Sequence, residues 1–131
     1  MTVRLNHTIV WVRNRRESAD FLTSILGLPE ATTFGPFLVV QLENGVSLDY
    51  YEHGKEETSP QHYAFLITED EFDEIFARIE TLGLEFWADP GRTRPREINR
   101  DDGGRGLYFL EPSGHLLEII TRPYGSGDAG E

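Results

Sequence analysis

Cysteine is absent from all 131 residues, and with it go disulfides, thiolate metal sites and cysteine nucleophiles. Long apolar runs are absent too: none approaches the ~20 residues that span a bilayer. The opening Thr2-Val3-Arg4-Leu5-Asn6 lacks the basic-then-apolar pattern of an export signal. A cytoplasmic protein with no membrane partner is the expectation. Positive charge is scarce as well. The formal charge of −11 would repel phosphates over most of the surface, which excludes nucleic acid as a partner and leaves a small-molecule substrate. A chain of this length closes a hydrophobic core without disulfides or a structural metal.

One segment departs from that acidity. From Arg92 to Arg105 there are five arginines (Arg92, Arg94, Arg96, Arg100, Arg105) against Glu97, Asp101 and Asp102, so it carries +2 and the remainder −13. As a lid, Arg92, Arg94 and Arg100 would grip a carboxylate, a phosphate or a thioester-linked tail through paired guanidinium hydrogen bonds. As a plain loop, the segment is a solvated insertion held by Pro95 and Gly103-Gly104.

What is present is a repeat of about 55 residues. His7 lies in the extended run Leu5–Val12. Asn14, with Glu17 three positions later, then starts a helix whose apolar side is Ala19, Leu22, Ile25 and Leu26. His62 opens a second run, Gln61–Ile67. Thr68 and Glu71 start a helix carrying Phe72, Ile75, Phe76, Ile79 and Leu82. Both helices stop at the same tripeptide, Leu26-Gly27-Leu28 and Leu82-Gly83-Leu84. Three strands are predicted after each helix: 31–34, 37–42 and 46–51 in the first half, and 85–88, 106–110 and 116–121 in the second. Each half reads strand, helix, strand, strand, strand, an α+β arrangement. Residues 1–124 then form one domain of two βαβββ modules, about 1–57 and 58–124, followed by a small polar tail (125–131) expected to be disordered.

Two imidazoles and a carboxylate stand at matching places in that repeat: His7, His62 and Glu118. This donor set suits a divalent transition metal that keeps positions open for substrate, with Zn, Ni, Co, Mn and Fe all compatible. Each residue sits in an apolar strand, where an unpaired polar group is costly. The alternative is a buried polar network without an ion. Aligning the two final hairpins sets Asp49 opposite Glu118, so Asp49 is either a site residue or a hydrogen-bonded strand end. Trp11 and Tyr51, with Trp87, Phe34 and Phe37, either line an apolar cup for substrate or belong to the core. His115 falls in a turn and reads as structural; His53 lies in a charged, solvated stretch.

The paired histidine strands, the doubled Leu-Gly-Leu and the run Tyr108-Phe109-Leu110-Glu111-Pro112-Ser113-Gly114-His115-Leu116-Leu117-Glu118 make the chain resemble the vicinal oxygen chelate superfamily. The resemblance extends to about Tyr124. It implies a curved, open β-cup around a metal held by His7, His62 and Glu118, and commonly a homodimer. It places Asp49 where glyoxalase I and methylmalonyl-CoA epimerase carry a longer fourth ligand. Tyr108 stands ten residues before Glu118, the spacing of a catalytic tyrosine in extradiol dioxygenases.

Three functions follow from the resemblance. The first is a glyoxalase- or epimerase-like lyase or isomerase, in which Glu118 or Asp49 shuttles a proton to and from a metal-stabilised enolate. The second is an extradiol-type Fe(II) dioxygenase, although the histidine expected a few residues upstream is replaced by Asn99, Arg100 and Asp101. The third is a non-catalytic, bleomycin-resistance-like antibiotic binder.

Overall fold

The computed structural model describes residues 3–52 and 58–127 and resolves the chain into two compact units, Met1–Ser59 and Pro60–Glu131. His53 lies outside the described residues. In the first unit the order is β1 (His7–Val12), α1 (Arg15–Leu26), β2 (Thr32–Phe34), β3 (Phe37–Gln41) and β4 (Ser47–Glu52). In the second it is β5 (His62–Leu66), α2 (Glu69–Thr81), β6 (Gly106–Leu110) and β7 (Leu116–Ile120). Each unit is α+β with an open sheet: β1-β4-β3-β2 in the first and β5-β7-β6 in the second.

The helix ends behave as their residues dictate. Asn14 Oδ1 accepts from the Glu17 amide at 2.9 Å. Thr68 accepts from the Glu71 amide at 3.1 Å, and the Glu71 carboxylate accepts from the Thr68 amide at 2.8 Å, a complete reciprocal cap. At the other ends, Gly27 (φ 70°) and Gly83 (φ 66°) take the left-handed conformation that glycine adopts without steric cost. The Leu28 amide then reaches the Thr23 carbonyl, and the Leu84 amide the Ile79 carbonyl. The two modules thus end their helices with the same five-residue backbone bond.

Strand alternation sorts each first-unit strand into a core face and an open face. Val10, Val12, Leu38, Val40, Leu48 and Tyr50 are buried with Ala19, Leu22 and Ile25 of α1. His7, Ile9, Trp11, Ser47, Asp49, Tyr51, Phe37 and Val39 occupy the other face and are half-buried or exposed. In the second unit, Leu107, Phe109, Leu117 and Ile119 are buried, as are Phe72, Ile75 and Ile79 of α2. Arg105, just ahead of β6, clamps that helix. Its Nε meets Glu69 at 2.7 Å, its Nη1 meets Asp73 at 2.9 Å, and its guanidinium lies 4.4 Å from the Phe72 ring. This arginine therefore belongs to the fold and not to a substrate lid.

The strand expected over 85–88 shrinks to one bridging residue. Trp87 exchanges backbone hydrogen bonds with Tyr108 (2.9 and 2.8 Å), but the next amide, of Ala88, turns to the Arg94 carbonyl. Asp89 causes the turn. Its carboxylate accepts from the Thr93 hydroxyl at 2.6 Å and from the amides of Thr93 and Arg94. Those bonds hold Asp89 below the usual carboxylate range, the Thr93 hydroxyl contributing most. A lowered folded pKa stabilises the turn above the unfolded pKa, and the contribution is lost as pH falls through the folded value. Hydrogen exchange at the Thr93 and Arg94 amides should therefore quicken selectively below the ordinary Asp range. Asp89→Ala should produce the same loosening at neutral pH.

The chain makes defined hydrogen bonds as far as Gly127. The Ser126 hydroxyl donates to the Pro123 carbonyl at 2.6 Å, Arg122 to the Ser126 carbonyl at 2.9 Å, and the Gly127 amide to Asp102 at 3.0 Å. Residues 128–131 lie outside the described residues.

Candidate metal centre

In the second unit three of the expected residues meet. β5 and β7 run parallel with His62 beside Leu116, and β6 pairs antiparallel so that Tyr108 lies directly across from Glu118. His62 Nε2 is 2.9 Å from Glu118 Oε1. The Tyr108 ring stacks on the His62 imidazole at 5.8 Å between centroids. Glu118 is 1% exposed, so its charge has to be met inside the protein.

The protons in this cluster are constrained. His62 Nδ1 is 3.1 Å from the Leu116 carbonyl, which can only accept, so the hydrogen sits on Nδ1. Nε2 lies 2.9 Å from a carboxylate oxygen, a contact that either a proton on Nε2 or a bound cation satisfies. An imidazole oriented through its other nitrogen by a backbone carbonyl, beside a buried carboxylate, is an arrangement that transition-metal sites share. His62 and Glu118 are donor types that suit a divalent ion, although no group of three His, Cys, Asp or Glu among the described residues is placed to hold one.

Sequence reasoning missed a fourth member of the cluster. The Tyr124 hydroxyl is 2.7 Å from each Glu118 oxygen and 3.1 Å from the Tyr108 hydroxyl. Burial, then hydrogen bonding to Tyr124 and Glu118, pushes the Tyr108 phenol far above its ordinary value; burial also raises Tyr124. Both stay neutral O–H donors at any working pH. A tyrosine six residues past a buried carboxylate was visible in the sequence, but it follows the last strand, where no periodicity predicts contact.

The first unit repeats the register. β1 and β4 run parallel with His7 beside Ser47 and Ile9 beside Asp49, so Asp49 stands two residues past the histidine's partner, as Glu118 does. The side chains differ. His7 Nδ1 is 2.7 Å from Asn6 Oδ1, which again leaves Nε2 as the free donor. Asp49 accepts from the Ser47 hydroxyl at 3.0 Å and, one methylene shorter than Glu118, is not hydrogen-bonded to its histidine. Both groups face an open hollow of about 480 Å³ walled by Ile9, Phe34, Phe37 and Val39. Trp11 and Tyr51 extend this face, edge to face at 5.2 Å, with Tyr51 also 5.2 Å from Phe37. Neither unit by itself gathers three His, Asp or Glu side chains among the described residues.

The arginine loop divides. Arg92 lies 5.7 Å over the Trp87 ring, and Arg94 and Arg100 are exposed. Among the described residues no hydrogen bond joins Arg92, Arg94 or Arg100 to His62, Glu118 or Tyr108. Asn99, one of the three residues standing where the dioxygenase signature would carry a histidine, is buried and holds the loop, donating to the Ala88 carbonyl at 2.9 Å and accepting from the Asp101 amide at 3.2 Å. His115 is fully buried and structural as expected: its Nδ1 accepts from the Gln61 amide at 2.9 Å.

Two units, βαβββ in the first half and βαββ with a bridging residue in the second, each pair a histidine strand with a carboxylate strand. That arrangement defines a class, and the chain belongs to it. It is a member of the Glyoxalase/Bleomycin resistance protein/Dioxygenase superfamily, whose model matches residues 4–119. It is similar to two solved structures, Oxidase ChaP-H2 (58% identity, TM-score 0.94, 98% of this chain and 100% of that one) and Oxidase ChaP-H1 (58%, 0.92, 95% and 99%). It is also 30% identical over 125 residues to the glutathione transferase FosA of Serratia marcescens, spanning 91% of this chain and 81% of that one. With relatives named as enzymes over nearly their whole length, the chain is an enzyme of the vicinal oxygen chelate type. The non-catalytic antibiotic binder is set aside. No helix among the described residues is long and apolar enough to cross a membrane.

Proposed function

We propose that this protein is a metal-dependent oxidase acting on a small substrate that presents adjacent oxygens, with dioxygen as the oxidant. The observation that carries the reading is the His62 Nε2–Glu118 Oε1 contact at 2.9 Å, an imidazole aimed at a carboxylate that is 1% exposed. The 58% identity to proteins named as oxidases supports oxidation over the lyase and transferase chemistries of more distant relatives. Iron is the member of the compatible metals best suited to this task; bound, it would supply Lewis acidity and one-electron chemistry toward dioxygen.

The chain's residues then take these roles. His62 and Glu118 hold the ion, and His7, its Nε2 left free by Asn6, completes the two-histidine, one-carboxylate set. Tyr108, kept protonated, redirects the hydrogen bond it gives Tyr124 in the free protein toward charge developing on a substrate oxygen. Asp49 accepts a proton from the substrate. Trp11 and Tyr51 bear on its apolar part, and Arg92, Arg94 and Arg100 on an anionic substituent. The working form is a homodimer in the cytoplasm. The lyase or isomerase reading keeps one specific support, the placing of Asp49 at the repeat-related position of Glu118.

Iron-loaded protein, handled without oxygen and then exposed to it beside a catechol or an enediol, should consume dioxygen in step with substrate loss. It should form no thioester from a glutathione hemithioacetal. Thioester formation without oxygen uptake would reverse the assignment. Mixing inactive His7→Ala with inactive Glu118→Ala, with subunits exchanging freely, should restore about a quarter of the sites if two copies share each centre, because half the dimers are mixed and each has one intact site. A mixture that stays inactive would place all three ligands in one chain.

A further inference from the structure

Tyr124 has no place in the superfamily pattern that the sequence matched, which ends at residue 119. It lies in no strand or helix and is 64% exposed, yet its hydroxyl reaches both oxygens of a carboxylate that is 1% exposed. A phenol carries a single proton, and a carboxylate can only accept, so that proton points at Glu118. The Tyr108 hydroxyl, 3.1 Å away, must then be the donor to Tyr124. The order Tyr108 to Tyr124 to Glu118 is a one-way chain of hydrogen bonds that ends on the carboxylate.

The segment is built to deliver this hydroxyl. Its three bonds run from Ser126 to the Pro123 carbonyl, from Arg122 to the Ser126 carbonyl and from Gly127 to Asp102. A Cβ on Gly127 would fall 2.5 Å from the Asp102 Cα, so the close approach to Asp102 admits only glycine without displacement.

Resting on the metal-centre reading above, we propose that Tyr124 is a positioning residue for the ion. Its hydroxyl, 2.7 Å from each oxygen of Glu118, holds the carboxylate in its orientation beside His62 Nε2. Without that donor, the carboxylate would lose the orientation in which it would hold the ion. Hydrogen-bonded carboxylate ligands are set in this way in metal sites generally, and loss of such a partner costs roughly 10–100-fold in metal affinity.

The test is an anaerobic Co(II) titration of the wild type, Tyr124→Phe, Gly127→Ala and Glu118→Gln, read by the visible cobalt bands and by competition with a chelator. Tyr124→Phe keeps the ring and should melt within a few degrees of the wild type without metal. Its Co(II) affinity should fall roughly 10–100-fold, with a change in band intensity that reports altered coordination. Gly127→Ala, which keeps the phenol but pushes its segment off Asp102, should move affinity the same way. Unchanged affinity and spectrum in Tyr124→Phe would overturn the proposal. So would tighter binding, which would make the phenol a competitor of the ion. If the wild type bound no more Co(II) than Glu118→Gln, the metal-centre reading itself would fall, and this one with it.

Discussion

Glu118→Gln should strip the protein of its transition metal and leave it folded. The carboxylate is buried, faces His62 Nε2 at 2.9 Å and accepts from Tyr124. The amide has the same shape without the charge. Its N–H₂ can donate to His62 Nε2 and its carbonyl can still accept from Tyr124, so both existing contacts of the side chain can be kept. The cluster without metal should thus stay folded in the variant. Metal affinity should fall by more than about 100-fold, beyond the ~10–100-fold that outer-shell losses cost. Elemental analysis beside urea unfolding separates the two effects. Full metal content in the variant would remove Glu118 from the ligand set.

Phe72→Ala should be the most destabilising single change in the second unit. The ring is 0% exposed, lies 5.9 Å from Phe76 and carries the Arg105 guanidinium on its face at 4.4 Å. Truncating a buried phenylalanine costs about 3–5 kcal/mol in transfer and cavity energy. A domain holds only about 5–15 kcal/mol in total. Arg105 enters β6 directly, and β6 carries Tyr108, so a loosened α2 takes the metal cluster's support with it. The urea midpoint should drop sharply with the slope retained. A cost below about 1 kcal/mol would mean that α2 is not docked through this ring.

The parts legible in the sequence were those governed by local or periodic chemistry. Asn14 and Thr68 announced the helix starts, Gly27 and Gly83 the ends, and alternation placed His7 and Glu118 on strands. The register that equates Asp49 with Glu118 was also legible, because a repeat read from two short hairpins fixes offsets between strands. Illegible were contacts made across the chain by irregular segments. Trp87 ceased to be strand because an aspartate two residues on captured three donors. Asn6, which orients His7, looked like an ordinary residue ahead of a strand. Tyr124 lay where the pattern had run out, and only the folded tail shows what it touches.

The matched register of the two units carries an evolutionary consequence. A doubled module offers two equivalent histidine–carboxylate places, and they need not carry the same residues. In this chain the second copy carries the long carboxylate with two phenols around it, while the first carries a shorter acid beside an open hollow of about 480 Å³. Changes at Phe34 or Phe37 would reshape that hollow and leave His7 and Asp49 in place. Duplication here permits a division of labour between a reaction and a variable appetite.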